Sequence, residues 1–416
     1  MNRRNAPFLR MLAPLALGCL LLMGASEPSG SASLGRRGVL NRVASAHFDP
    51  EFLGRAKAYQ RPRLIVLIVE MALTVLAAVI LITGPWTAWA GSVIPRWLPN
   101  HSIISRAWLL TFVYLGFSAL QFSFSVFYYR HAKQAGLRHD AWPAFLSDWM
   151  KGLAIGWVQV ILIGLLVLWL LSAFPRRGWL LGALGIGVLG GLYMIIAPIV
   201  IDPLFNRFRP LEDAALRDRL LALADQSGVP AREILVADAS RRTRAVNAYF
   251  TGLGRTRRIV LHDTLLSKFD PDEIAVVLAH EVGHWKHHDV MKGLAWATLG
   301  SVIGLGLLWG FMARAVTQHA DLSGIGDPAL AIPAYGLVMV LMLLSTAPSN
   351  AISRRMETRA DLASLEITQD PDTFVRSEVH LARENLSEVA PPGWVERIFY
   401  THPCSARRIL LAERFR

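Results

Sequence analysis

Charge-free apolar runs dominate the chain. Ala107 to Tyr129, Gly152 to Pro175, Gly178 to Ile201, Gly293 to Ala313 and Pro328 to Ser353 contain no Asp, Glu, Lys or Arg. Each exceeds the roughly 18 residues that a helix needs to cross the hydrocarbon of a bilayer. A sixth run, Met71 to Pro95, follows Leu64 to Val69 with only Glu70 between. Six such runs predict a polytopic helical membrane protein, since buried soluble helices rarely come in such a set. A shorter run, Met11 to Ser26, stands behind Arg3, Arg4 and Arg10 and reads as a short first helix or an uncleaved signal-like anchor. The expected count is therefore six or seven transmembrane helices.

Two polar segments, Asp202 to Met291 and Asn350 to Arg416, are long enough to carry chemistry. In the first, Leu216, Leu220 and Leu223 recur at helical spacing within Leu211 to Gln226, and Gly228 and Pro230 end the pattern. Ile234 to Val236 reads as a short strand. Val246 to Phe250 and Ile259 to Leu261 read as a hairpin across Gly252-Leu253-Gly254. Asp270-Pro271-Asp272-Glu273 is a helix start: Asp270 can cap, Pro271 suits the first helical position and Glu273 can close a capping box. Ile274, Val277 and Leu278 continue it at helical spacing. The Gly- and Ser-rich stretch Ser29 to Gly38 reads as loop.

Composition sharpens this picture. With 53% hydrophobic and 18% charged residues, and a mean hydropathy of +0.38, the chain has too much apolar material for disorder and too little charge for an ordinary soluble domain. Two cysteines, Cys19 and Cys404, exclude a disulfide scaffold. The net charge of +12 would suggest nucleic acid on a soluble protein. Here, however, the basic residues follow the spans. Arg36, Arg37, Arg42, Arg55, Lys57, Arg61 and Arg63 precede the first long span, and the later connections alternate. They hold Arg96; then Arg130, Lys133, Arg138 and Lys151; then Arg176 and Arg177; then a block from Arg207 to Lys286; then nothing from Val316 to Leu330; then an Arg-rich tail after Asn350. By the positive-inside rule both polar segments lie in the cytoplasm. Nucleic acid is not expected as a partner; the lipid bilayer is. An excess of 37 Arg over 6 Lys suggests a bacterial origin and hence an inner membrane.

The expected organisation is a first apolar segment (1–26), a basic cytoplasmic linker (27–63), four transmembrane helices (64–201), a polar core (202–291), two more transmembrane helices (292–349) and a cytoplasmic C-terminal part (350–416).

On the helix after Asp270 stands His280-Glu281-Val282-Gly283-His284. Spacing of i and i+4 puts both imidazoles on one face, with Glu281 beside them as the general base for a zinc-activated water. In a chain with 12 histidines the chance expectation for this pentad is about 0.01, so coincidence is a poor account of it. Catalytic zinc, one per chain, needs a third protein ligand and an open position. The extended metzincin pattern fails, because His287 and Val290 stand where glycine and histidine belong. Glu357 and Asp361 share a helix face in the tail: Glu357 can coordinate and Asp361 can orient a ligand histidine, with Glu366 and Glu378 as competing carboxylates. His287, His288 and Asp289 read as interfacial or supporting residues.

Together with that pentad, Asn247-Ala248-Tyr249-Phe250, Arg258 to Leu261, Asp263 to Leu266, Glu357 to Asp361 and His402-Pro403 with Arg408 make the chain resemble the type I CAAX prenyl proteases. These are integral-membrane zinc endopeptidases related to the bacterial heat-shock membrane proteases. The likeness extends upstream through Pro203-Leu204-Phe205 and Phe145 to Val158. It implies a mainly α, polytopic membrane protein with a gluzincin-like α+β zinc-peptidase domain. It also implies a substrate strand at Asn247, Ala248 and Tyr249, an oxyanion-stabilising role for His402, and a structural role for Arg408 near the site. The substrate it implies is a peptide or membrane protein, prenylated or not, in CAAX-type processing or membrane-protein quality control. Cys404 and Arg407 depart from the family's small residue and acid at those places. The reading from a different class is a non-catalytic scaffold or transporter with a structural zinc site. Glu281 argues against it, because a closed structural site has no use for an adjacent base.

Overall fold

Long helices take up the apolar runs. The computed structural model describes residues 31–99, 102–229, 233–252, 256 and 258–416, with side chains from residue 37 onward; the expected first segment at Met11 to Ser26 lies outside the described residues. Helix α1 spans Ser31–His47, α2 Pro50–Thr83, α3 Trp86–Val93, α4 Ile103–Gln134, α5 Trp142–Ala173 and α6 Gly178–Ile196. A π turn at Ala197–Ile201, holding Pro198, carries α6 on to Phe205. The polar core then contributes β1 (Phe208–Pro210), α7 (Ala214–Gln226), β2 (Ile234–Ala237), β3 (Ala248–Thr251), β4 (Arg258–His262), α8 (Asp263–Leu266) and α9 (Pro271–Lys286). Helices α10 (Asp289–Gln318), α11 (Ala331–Thr368), α12 (Pro371–Glu384), α13 (Gly393–Phe399) and α14 (Ser405–Phe415) complete the chain.

Among the described residues six helices are long and apolar enough to cross a membrane: α2, α4, α5, α6 with its extension, α10, and α11 with the turn before it. Their outward faces expose Leu76, Phe112, Leu162, Val188 and Ile303, which suits contact with lipid. Between them a hydrophobic cluster buries Leu109, Leu171, Met312 and Leu330.

Four expectations need correction. The run from Met71 to Pro95 is not one helix: it breaks after Thr83, because Gly84 precedes Pro85 and is pushed to an extended conformation, with the Trp89 ring lying against it. Ser31 to Gly38 is helical rather than loop. The residues that follow, Leu40, Val43 and Ala44, join a core with Ile409 and Ala412 of α14, and that packing overrides weak local propensity. The described part of the stretch that reads as a linker, residues 31–63, is thus α1 and the start of α2, and Glu70 lies further along α2, where it accepts a hydrogen bond from Tyr128 Oη at 3.2 Å. Helix α11 runs unbroken past residue 350, so the last span and the tail carrying Glu357 are one rod.

The sheet is four-stranded in the order β1-β2-β4-β3, antiparallel except for β2 with β4. Its β3–β4 hairpin is the expected one. Strand β1 went unforeseen, being only Phe208, Arg209 and Pro210. One sheet face packs Ile234, Val236, Ile259 and Leu261 against Leu220 of α7 and Leu278 and Val282 of α9. The sheet therefore backs the helix that carries the pentad, and β3 is left as the free edge beside it.

Candidate metal centre

Helix α9 begins as its sequence dictates. The Asp270 carboxylate accepts from the Asp272 and Glu273 amides at 2.9 and 2.8 Å, and Glu273 Oε2 accepts from the Asp270 amide at 3.1 Å. One helical turn then separates His280 from His284. Gly283 lets α11 come close: a Cβ there would stand 2.9 Å from Ala360 Cα and 3.0 Å from Ala363 Cβ. Across the same crossing Ser364 Oγ donates to the Val276 carbonyl at 2.8 Å. Small residues on both helices thus bring Glu357 and Asp361, one turn apart on α11, over the two imidazoles.

The result is a convergent trio. His280 Nε2 lies 3.1 Å from His284 Nε2 and 3.2 Å from Glu357 Oε2, and His284 Nε2 lies 3.5 Å from Glu357 Oε1. Ligands about 2.0–2.1 Å from one tetrahedral ion are about 3.3 Å from each other, so these separations, with Glu357 turning Oε2 to His280 and Oε1 to His284, are of the size a common ion requires. The other ring nitrogens are spoken for: His280 Nδ1 donates to Asp361 Oδ1 at 2.8 Å and His284 Nδ1 to Asp289 Oδ2 at 3.0 Å. Both Nε2 lone pairs are then free to coordinate. Glu357 is buried, yet its Oε2 makes no hydrogen bond. Burial disfavours charge on His280, but Asp361 and Glu357 outweigh it and push its pKa up to about 10. Two imidazole nitrogens converging on a buried carboxylate whose Oε2 lacks a hydrogen bond fit a metal ion. Of the competing carboxylates, Glu366 is exposed on α11 and Glu378 is turned to Arg408.

Around the trio the remaining expected residues fall as follows. Glu281 Oε2 accepts from the Phe250 amide of β3 at 3.1 Å. Burial pushes its pKa up, while the neighbouring imidazoles pull it back down. The His262 amide donates to the Asn247 carbonyl at 3.0 Å, so by register Tyr249 and Thr251 also bond to β4, whereas Ala248 and Phe250 turn their amides and carbonyls to the open edge. Asn247 is exposed there and Tyr249 packs on the far sheet face. His402 is exposed, its Nε2 3.2 Å from Glu357 Oε2 and its Nδ1 2.8 Å from Thr401 Oγ1. Arg408 is gripped by Asp361, with Nε to Oδ2 at 2.9 Å and Nη2 to Oδ1 at 2.5 Å, and it also pairs with Glu378.

Sequence reasoning missed three participants. Glu378 was visible as a carboxylate but not as the second partner of Arg408. Glu396 anchors the departure at Arg407, accepting from its Nε at 2.8 Å and from the Cys404 amide at 3.1 Å. Arg359, between Glu357 and Asp361 on α11, donates to Asp289 Oδ1 at 3.1 Å. A lone arginine carries no signal for that in the sequence.

Comparison with known proteins agrees with this architecture. Residues 210–414 match the model of Peptidase family M48, and residues 36–207 match that of the CAAX prenyl protease N-terminal region with five membrane helices. The chain is 34% identical over 289 residues to the uncharacterized metalloprotease YhfN of Bacillus subtilis, covering 68% of each chain. It is 29% identical over 308 residues to CAAX prenyl protease 1 of Saccharomyces cerevisiae, covering 68% of this chain and 66% of that one. The crystal structure of S. mikatae Ste24p shares the fold, with a TM-score of 0.72 at 24% identity over 89% of this chain and 91% of that one. Matches that join a membrane domain and a peptidase domain end to end, over a site built for a metal ion, make this chain a multi-pass membrane metalloprotease belonging to peptidase family M48, of the CAAX prenyl protease type.

Proposed function

We propose that the chain is a zinc endopeptidase that hydrolyses peptide bonds at the cytoplasmic face of the membrane. Its metal is one zinc ion held by His280, His284 and Glu357. The observation that carries this reading is the trio's geometry, three edges of 3.1, 3.2 and 3.5 Å with both Nδ1 atoms already engaged. Bound there, zinc would polarise the scissile carbonyl and acidify a water. Glu281 is the base that takes the water's proton and returns it to the departing amine. Its partly buried setting raises its affinity for a proton while its anion is still held by the Phe250 amide.

The substrate lies along β3. The outward Ala248 amide and the outward carbonyls of Ala248 and Phe250 offer a peptide the hydrogen bonds of an added strand, with Asn247 at one end of the edge, while the Phe250 amide holds Glu281. A peptide so placed passes Glu281, which contacts the same edge. His402, next to Glu357, is within reach of the charge that develops on the carbonyl oxygen and can donate to it. Asp361 and Arg408 hold His280 in place from behind. The reading extends to membrane proteins or their peptides as substrates, in quality control or CAAX-type processing.

The test is cleavage of a quenched peptide, and of a farnesylated CAAX peptide, by the detergent-purified chain. Chelation should stop cleavage and zinc should restore it. Glu281→Gln should lower kcat by about 10²–10⁴-fold or more while about one zinc per chain remains bound. The ratio of the two substrates sorts prenyl processing from general proteolysis. A Glu281→Gln protein as active as wild type ends the proposed mechanism; bound zinc with no cleavage of either peptide favours a structural metal.

A further inference from the structure

Helix α9 ends at Lys286 and α10 begins at Asp289, with His288 between them in the left-handed region at φ 53° and ψ 37°. That conformation is strained for a residue with a side chain, so something must hold it. The turn brings Asp289 back onto the ring of His284. Along a continuous helix, a residue five places on would point about 140° away from that ring. The contact exists only because the helix breaks here and restarts as a membrane span. Asp289 is buried, with Oδ2 accepting from His284 Nδ1 at 3.0 Å and Oδ1 accepting from Arg359 Nη2 at 3.1 Å. The arrangement repeats, with different residues, what stands behind His280: an imidazole, a carboxylate and an arginine.

We propose that Asp289 is a positioning residue for the metal centre: clamped by Arg359 and presented by the left-handed turn at His288, it fixes the proton of His284 on Nδ1 and aims Nε2 at the ion. The inference rests on the trio's being a metal site. It adds that the first residue of a transmembrane helix sets the orientation of one ligand, so that the second histidine is tied to the membrane domain.

The experiment measures zinc affinity of the full-length, detergent-purified protein by competition with a chromophoric chelator, alongside the thermal stability of the metal-free form. Asp289→Ala should bind zinc 10–100-fold more weakly. Asp289→Asn keeps the shape and an acceptor but loses the charge, and it should weaken binding at least several-fold. His288→Gly, which tolerates the left-handed turn, should keep wild-type affinity. His288→Val, a side chain ill suited to positive φ, should lose affinity without touching Asp289. A role confined to packing would lower the stability of the metal-free protein and leave affinity alone. Wild-type affinity in folded Asp289→Asn overturns the proposal even where the alanine variant fails to fold. Failure of wild type to bind zinc at all sinks the metal reading too, and so is distinguishable from failure of this inference.

Discussion

Arg408 brings one positive charge to two buried carboxylates, Asp361 and Glu378. The bidentate grip goes to Asp361, which in turn holds His280, so the arginine acts on the metal site through two hydrogen bonds. Removing it leaves both acids without their cation. Arg408→Ala should cost about 3–5 kcal/mol, seen as a large fall in Tm, and Arg408→Lys should recover little of it because an ammonium cannot form the fork. Two carboxylates on one cation leave a surplus negative charge, and it falls on Glu378. Burial is the main cause that pushes its pKa up to about 7 from the ordinary 4.5, against the pull of Arg408. The folded state therefore holds the Glu378 proton more tightly than the unfolded state does. The stability this group supplies is fully present below about pH 4.5 and is lost as pH rises through about 7. Glu378→Gln removes the titration, so its Tm relative to wild type should climb between about pH 5 and pH 8. A difference that is flat across that range would mean that Glu378 is ionised in the folded protein throughout.

At the scale of elements, the crossing of α9 and α11 decides whether there is a site. Gly283 falls inside the metal-binding pentad, but its task is steric, since a methyl group there would press on Ala360 and Ala363. Gly283→Ala should destabilise by about 1–3 kcal/mol and, by levering α11 away, draw Glu357 off the histidines. Thermal unfolding together with zinc affinity checks this: a loss of stability with affinity intact would separate the crossing from the ligand geometry. The elements whose causes are local were readable from the chain, as Asp270, Pro271 and Glu273 announce α9 and the i, i+4 pairs announce the faces of both helices. The place of Glu357 beside the histidines could be anticipated, because two histidines alone leave a catalytic metal site of the zinc-peptidase kind one ligand short. What escaped depends on contacts distant in sequence. Strand β1 is three residues that form only against β2. Helix α1 overrides its glycines and serines by packing on α14. Asp289 reaches His284 through a backbone turn that no periodicity announces.

The whole molecule fixes which side of the membrane the site faces relative to every connection. Helices α2, α5 and α10 run away from the site face and α4, α6 and α11 return to it, because the α9–α11 crossing, α12 and α14 all gather at one end. Connections on the far side then carry Arg96 after α3, Arg176 and Arg177 after α5, and no lysine or arginine between Gln318 and Pro328. On the site side lie Arg130, Lys133 and Arg138 around the end of α4, the basic polar core, and the tail. Counted over the short connections, where the positive-inside rule is strongest, this asymmetry is what the rule expects of a site face in the cytoplasm, the side on which the proposed function puts it. Alkaline phosphatase, which needs an oxidising compartment to form its disulfides, reports the opposite face. Fused within residues 319–327 it should be active in a bacterial host, and fused after Arg416 it should be inactive. The reverse pattern would put the metal centre outside the cell and leave Glu281 facing a different set of substrates.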